Sequence, residues 1–76
     1  MVVEYYRNNR NENKYIEVHK DGHGHNTVRQ FMQWNWRRNG KLISYTRNYN
    51  GDGLLHRWRK ENLKDLLTDY TKCVIM

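Results

Sequence analysis

Three histidines crowd into positions 19–25, His19, His23 and His25, with Glu17 just before them and Arg29 just after. Imidazole titrates near neutrality, a carboxylate holds or orients a proton, and a guanidinium grips phosphate oxygens through paired N–H bonds. Together these are the parts of a small ribonuclease: acid, base and phosphate clamp. Histidines also suggest a metal. The only cysteine, Cys73, is far along the chain, and no spacing matches a structural zinc site. No metal and no cofactor is expected. No pair of groups is held in a geometry the sequence can demonstrate, so the chain reads as non-catalytic, with a ribonuclease as the enzymatic alternative.

Cations carry the leading functional reading. Arg29, Arg37, Arg38, Lys41, Arg57 and Arg59, with Phe31 among them, cluster in the middle of the sequence. A β-ribbon can enter a major groove with its outward residues reading bases, and an aromatic ring can stack on an unpaired base. The expectation is a small basic binding module that contacts nucleic acid, a nucleoprotein or an acidic protein surface through these side chains. A second reading is an inhibitor of the mobile-element type that docks on a host protein. Its arginines meet acidic side chains, and Tyr45, Tyr49, Trp34 or Trp58 serve as anchors.

What must position these residues is a hairpin over Thr27–Arg47. Asn39-Gly40 is the preferred pair for a type I′ turn, since both central residues need positive φ. A two-residue turn there pairs Arg38 with Lys41, Arg37 with Leu42, Trp36 with Ile43 and Trp34 with Tyr45. One face then carries Val28, Met32, Trp34, Trp36, Ile43 and Tyr45, and is expected to be core. The other carries Arg29, Phe31, Gln33, Asn35, Arg37, Leu42, Ser44 and Thr46, and is expected to be wet. Residues 14–20 form the preceding strand, with Ile16 and Val18 on the core side and Glu17 and His19 on the basic side. Asp21–Asn26 is the glycine-interrupted return, which pairs Val18 near Val28.

Residues 54–70 admit two readings. One is a continuous helix capped by Asp52. The other is a strand over 54–59, with Trp58 opposite Tyr45 and with Arg57 and Arg59 beside Arg29 and Arg37, followed by a helix from about 62 to 71. In that reading Asn62 is the cap, Asp65 its capping-box partner, and Leu63, Leu66, Leu67 and Tyr70 form the apolar stripe. The fold expected is α+β: an antiparallel meander of three to four strands (about 14–20, 27–38, 41–48 and, if the segment splits, 54–59) with the C-terminal helix on one face. Residues 1–13 are an edge strand or disordered, 14–70 a single small domain, and 71–76 a tail.

Composition bounds the rest. The 76 residues have a formal net charge of +6, three Trp and six Tyr, with mean hydropathy −1.18 and pI near 9.7. One small core must rest on few side chains, and a basic balance of this size favours acidic partners. No apolar run approaches the ~18 residues of a spanning helix, and the N-terminus lacks the apolar region of a signal peptide. An intracellular, cytoplasmic protein is expected.

The tail reads Thr71-Lys72-Cys73-Val74-Ile75-Met76. A cysteine, two aliphatics and a terminal methionine make a C-a-a-X box of the type that accepts a farnesyl group. These six residues resemble the farnesylated tail of Ras-family GTPases of the K-Ras type; nothing in the body does. The resemblance implies lipidation of Cys73 by protein farnesyltransferase acting on Cys73, Val74, Ile75 and Met76. It also leaves open an appended substrate sequence. Membrane association is expected only if the chain is farnesylated, and a single lipid chain needs a second signal that the spread-out charge supplies weakly.

Overall fold

The computed structural model describes residues 2–49 and 56–74. It is an α+β structure, mostly antiparallel sheet with one short helix. The strands are β1 (Val2–Asn8), β2 (Lys14–Lys20), β3 (Asn26–Arg38), β4 (Lys41–Tyr49), β5 (His56–Trp58) and β6 (Tyr70–Cys73). Five of them run in the order β4-β3-β2-β1-β6, and the three-residue β5 pairs with β3 off that path. The sheet is thus larger than the meander expected. Val2–Asn8 is neither an edge nor a frayed end: it lies between β2 and β6, with Tyr5 opposite Glu17 on one side and Cys73 on the other. Alternation hid this strand's value, because Val3, Tyr5 and Arg7 take one face while Glu4 and Tyr6 take the other.

β3 is the longest strand and serves two ends. Its first half pairs with β2, where Val18 meets Val28 and Glu17 meets Arg29, and its Asn26–Val28 stretch pairs with β5 along the other edge. Its second half pairs with β4. β5 therefore faces β3 rather than β4: Trp58 lies opposite Asn26, not opposite Tyr45 as expected. Leu54 and Asp52 lie outside the described residues.

The helix α1 spans Lys60–Leu66 and a 3₁₀ turn follows over Leu67–Asp69 before the chain enters β6. It starts two residues earlier and ends earlier than expected. Arg59, in extended conformation, occupies the N-cap and makes no side-chain cap bond, so the Asn62/Asp65 capping box does not form. Seven residues are too few for a helix that stands by propensity alone. Packing holds it: Leu63 is buried with Ile16, Val18 and Val28, and Leu66, Leu67, Tyr6 and Tyr70 close around them. This is the helix face of the sheet. No described helix is long and apolar enough to cross a membrane.

The hairpin turn forms as its sequence requires, with φ of 53° at Asn39 and 78° at Gly40, the positive-φ pair of a type I′ turn. Arg38 pairs with Lys41 and Arg37 with Leu42. Then the register departs from expectation. Ile43 is an extra residue in β4, a bulge, so Trp36 meets Ser44, Asn35 meets Tyr45 and Gln33 meets Arg47. Every residue of β4 from Tyr45 onward is on the face opposite to the one a regular ladder gives it.

The assignment of the core changes accordingly. Trp34 and Trp36 do lie on the helix-face positions of β3, but β2 runs out at the Lys14–Met32 pair and nothing described covers the ribbon beyond it. Trp36 is 57% exposed and Ile43 59%, with Trp34 and Tyr45 also exposed. Phe31, expected on the wet face, is completely buried.

One ion-pair network ties β1 to both neighbours. Glu4 accepts from Lys20 of β2 and from Lys72 of β6, each at 2.7 Å. The two ammonium groups hold its carboxyl at about 2, against an ordinary 4.5. A depressed carboxyl contributes stability that is complete above the unfolded value and is lost as pH falls toward the folded one. Stability should therefore decline between pH 4.5 and 2 by on the order of 1 kcal/mol from this residue, since the lysines are well exposed. Urea midpoints across that window should fall less steeply in Glu4→Gln than in the parent.

Candidate nucleic-acid interface

Opposite the helix face, the sheet presents a second surface on which no described helix packs. Strand alternation and the registers place Tyr5 and Arg7 of β1, Tyr15, Glu17 and His19 of β2, Arg29, Phe31, Gln33, Asn35 and Arg37 of β3, and Tyr45, Arg47 and Tyr49 of β4 on it. Its centre is Phe31, with Tyr15 stacked on it at 5.4 Å and 8° between ring planes, Tyr49 tilted at 5.3 Å and Tyr5 edge-on at 6.3 Å. Rings packed this way exclude water without an overlying layer, which is how a face rich in polar residues comes to bury its phenylalanine.

Beside the rings lies a carboxylate that organises its neighbours. Glu17 is only 3% exposed. Its Oε1 takes the Arg29 Nε–H at 3.0 Å and the His19 Nε2 proton, and its Oε2 takes the Tyr49 hydroxyl at 3.2 Å. Burial pushes the Glu17 carboxyl up, but the hydrogen bonds from His19 and Arg29, the Arg29 charge and the Tyr49 hydroxyl outweigh it and hold the group below the ordinary carboxylate range. An ionised carboxylate has only lone pairs to offer, so all three neighbours must donate. His19 therefore carries a proton on Nε2, and in the neutral ring Nδ1 is the nitrogen left to accept one.

Two of the arginines are fixed as well. The Arg29 guanidinium lies 4.1 Å from the centre of the Tyr49 ring. Arg47 donates from Nε to Gln33 Oε1 at 2.8 Å and from Nη1 to the Tyr49 hydroxyl at 3.4 Å, and sits 4.7 Å over Phe31 and 5.2 Å from Tyr45. Gln33 in turn donates to Asn35 at 2.8 Å. Toward β6, Arg7 and Arg37 line a small polar hollow with Tyr15, Gln33, Asn35 and Cys73. Among the described residues, four arginines and one histidine therefore share a surface whose one carboxylate is sunk beneath them.

Of the residues singled out from sequence, Arg29, Phe31 and Arg37 share this face, and His19 and Glu17 join them. Phe31 is walled in and is not available to stack on a base; Tyr45, 48% exposed beside Arg47, is the ring that is. Arg38 and Lys41 sit opposite one another at the hairpin tip. Arg59 is at the start of the helix, away from the group, and the Arg57 side chain lies outside the described residues, though its backbone pairs with Thr27. His23 and His25 are exposed turn residues whose backbone N–H groups donate to Asp21 at 2.7 and 3.3 Å. Arg7 and Arg47 were not singled out, and Tyr49 only as an anchor for a protein partner. No sequence signal marks the bulge that brings the last two round, whereas Arg7 was legible from the alternation of the first strand.

Cys73 lies within β6, opposite Tyr5 and half buried, and burial pushes its thiol up. Ile75 and Met76 lie outside the described residues. Among the described residues no three His, Cys, Asp or Glu side chains gather as metal ligands. Comparison of the chain with family models, with curated proteins and with solved structures gives no match.

Proposed function

We propose that this protein binds nucleic acid through the open face of its sheet, with Arg7, Arg29, Arg37 and Arg47 meeting phosphates and Tyr45 stacking on a base. The observation that carries the reading is the concentration of these cations on one surface, with Arg29 and Arg47 held over aromatic rings and by polar partners, and with Glu17, the one acidic group among the described residues of that face, buried. Pre-fixed guanidinium groups lose little freedom when they meet a phosphate, and an exposed ring beside them suits the unpaired base of a single strand. The exposed indoles of the hairpin are the surface an inhibitor-type partner would use, but nothing described faces them with complementary chemistry.

Counterion release sets the test. With about four phosphates neutralised on a single strand, log K falls with log salt at a slope of about −3, so a fourfold rise in salt should weaken binding roughly fiftyfold. Fluorescence anisotropy with a labelled oligonucleotide reads this directly. Arg47→Ala should flatten the slope by about one phosphate's share. Absence of binding at low salt would end the reading.

A further inference from the structure

We propose that the open face also cleaves RNA, with His19 as the base that activates a ribose 2′-hydroxyl, Tyr49 as the acid, and Arg29 as the clamp on the phosphate. The inference rests on the nucleic-acid reading above and adds a reaction to it.

It follows from how Glu17 is used. A buried carboxylate needs only enough donors to satisfy its lone pairs, and backbone amides or serines would serve. Here the donors are instead an imidazole, a phenol and a guanidinium. The imidazole and the phenol are held on opposite oxygens of the same carboxylate, His19 on Oε1 and Tyr49 on Oε2, and Arg29 shares the first. Two proton-exchanging groups set apart around a cation is the arrangement an in-line displacement at phosphorus requires, because the attacking and departing oxygens lie on opposite sides of the atom. His19 and Arg29 remain partly exposed, with 19% and 32% of their side chains open to solvent, while Glu17 is closed off. Glu17 is thus a positioning residue, and it selects the His19 tautomer whose Nδ1 is free to take a proton.

The reaction balances without water. Nδ1 of His19 takes the 2′-hydroxyl proton as the 2′-oxygen bonds to phosphorus. The bond from phosphorus to the 5′-oxygen breaks, and that oxygen takes the proton of the Tyr49 hydroxyl. The hydroxyl turns from Glu17 Oε2 to the departing oxygen while Arg47 Nη1 stays on the phenol oxygen. The products are a 2′,3′-cyclic phosphate and a free 5′-hydroxyl. The protein is left with imidazolium and phenolate, and one proton returning from the first to the second restores it. Arg29, and Arg47 beside Tyr49, meet the charge that builds on the non-bridging oxygens.

The test uses the full chain, a labelled RNA oligonucleotide and its 2′-O-methyl counterpart, in buffer with EDTA. RNA should be cut to fragments ending in cyclic phosphate. The 2′-O-methyl strand, which lacks the nucleophile, should be bound and left whole. His19→Gln keeps a donor for Glu17 but has no basic nitrogen, and should slow cleavage at least about 100-fold while changing affinity for the 2′-O-methyl strand less than threefold. Tyr49→Phe should slow RNA cleavage but spare a uridine 3′-(p-nitrophenyl phosphate), whose leaving group departs without a proton. A purely structural tyrosine would affect both substrates alike, and that result would remove the acid role. If the 2′-O-methyl strand is bound but RNA is not cut, or is cut equally by His19→Gln, the cleavage inference falls and the binding reading stands. If neither strand is bound, both fall.

Discussion

Phe31→Ala is expected to destabilise the fold by about 3–5 kcal/mol, the usual cost of deleting a fully buried ring. A 76-residue chain holds only roughly 4–11 kcal/mol in all, so the variant should be largely unfolded at physiological temperature. The size of the effect comes from the ring's position: it is completely buried and touches Tyr5, Tyr15, Tyr49 and the Arg47 guanidinium. Its loss leaves three rings and a cation around a void. Trp36→Ala is the control. That residue is larger but 57% exposed on the projecting ribbon, and its removal should change stability by no more than about 0.5 kcal/mol. Urea denaturation of both variants checks the pair. A large loss for the indole and a small one for the phenyl ring would mean that the two faces of the hairpin are reversed.

The second large effect belongs to Glu17. Removing it strands Arg29, His19 and the Tyr49 hydroxyl beside one another without their shared acceptor. Breaking a buried pair from one side costs about 3–5 kcal/mol; Arg29 is one-third exposed and can turn to solvent, so about 2–4 kcal/mol is expected for Glu17→Ala. Adding Arg29→Met should give back part of that loss, and a double-mutant cycle measures how much. The pH dependence has a definite sign. The folded carboxyl lies below its ordinary 4.5, so its contribution is complete above that value and is lost as pH falls through the folded one. Glu17→Gln should flatten the acid limb of the stability curve. A limb unchanged by the substitution would mean that the carboxylate is not ionised in the folded protein.

Much of this was legible beforehand. The type I′ turn at Asn39-Gly40, the Val18–Val28 pairing across the glycine turn, and the placement of Glu17, His19 and Arg29 on one side follow from local chemistry and alternation, which act over a few residues. What was not legible depends on neighbours distant in sequence. Trp34 and Trp36 have the chemistry of core residues, but β2 is too short to shelter them, and strand length is a tertiary outcome. Phe31 looked wet because its flanking positions are Gln33 and Arg29, while the rings that bury it come from β1, β2 and β4. The helix begins at Lys60 rather than Asn62 because Leu63 is drawn onto Ile16, Val18 and Val28, and that contact outweighs a cap.

The extra residue at Ile43 has a consequence for how this chain tolerates changes in length. Deleting it would let the ladder close without a break while keeping Trp36 opposite Ser44, Asn35 opposite Tyr45 and Gln33 opposite Arg47, so Tyr45, Arg47 and Tyr49 would stay around Glu17 and Phe31. Between the turn and Tyr45, then, the strand can shed one residue by shedding the bulge. A relative shorter there by one can keep the cluster; one shorter by two, with the bulge already gone, would turn it to the other face.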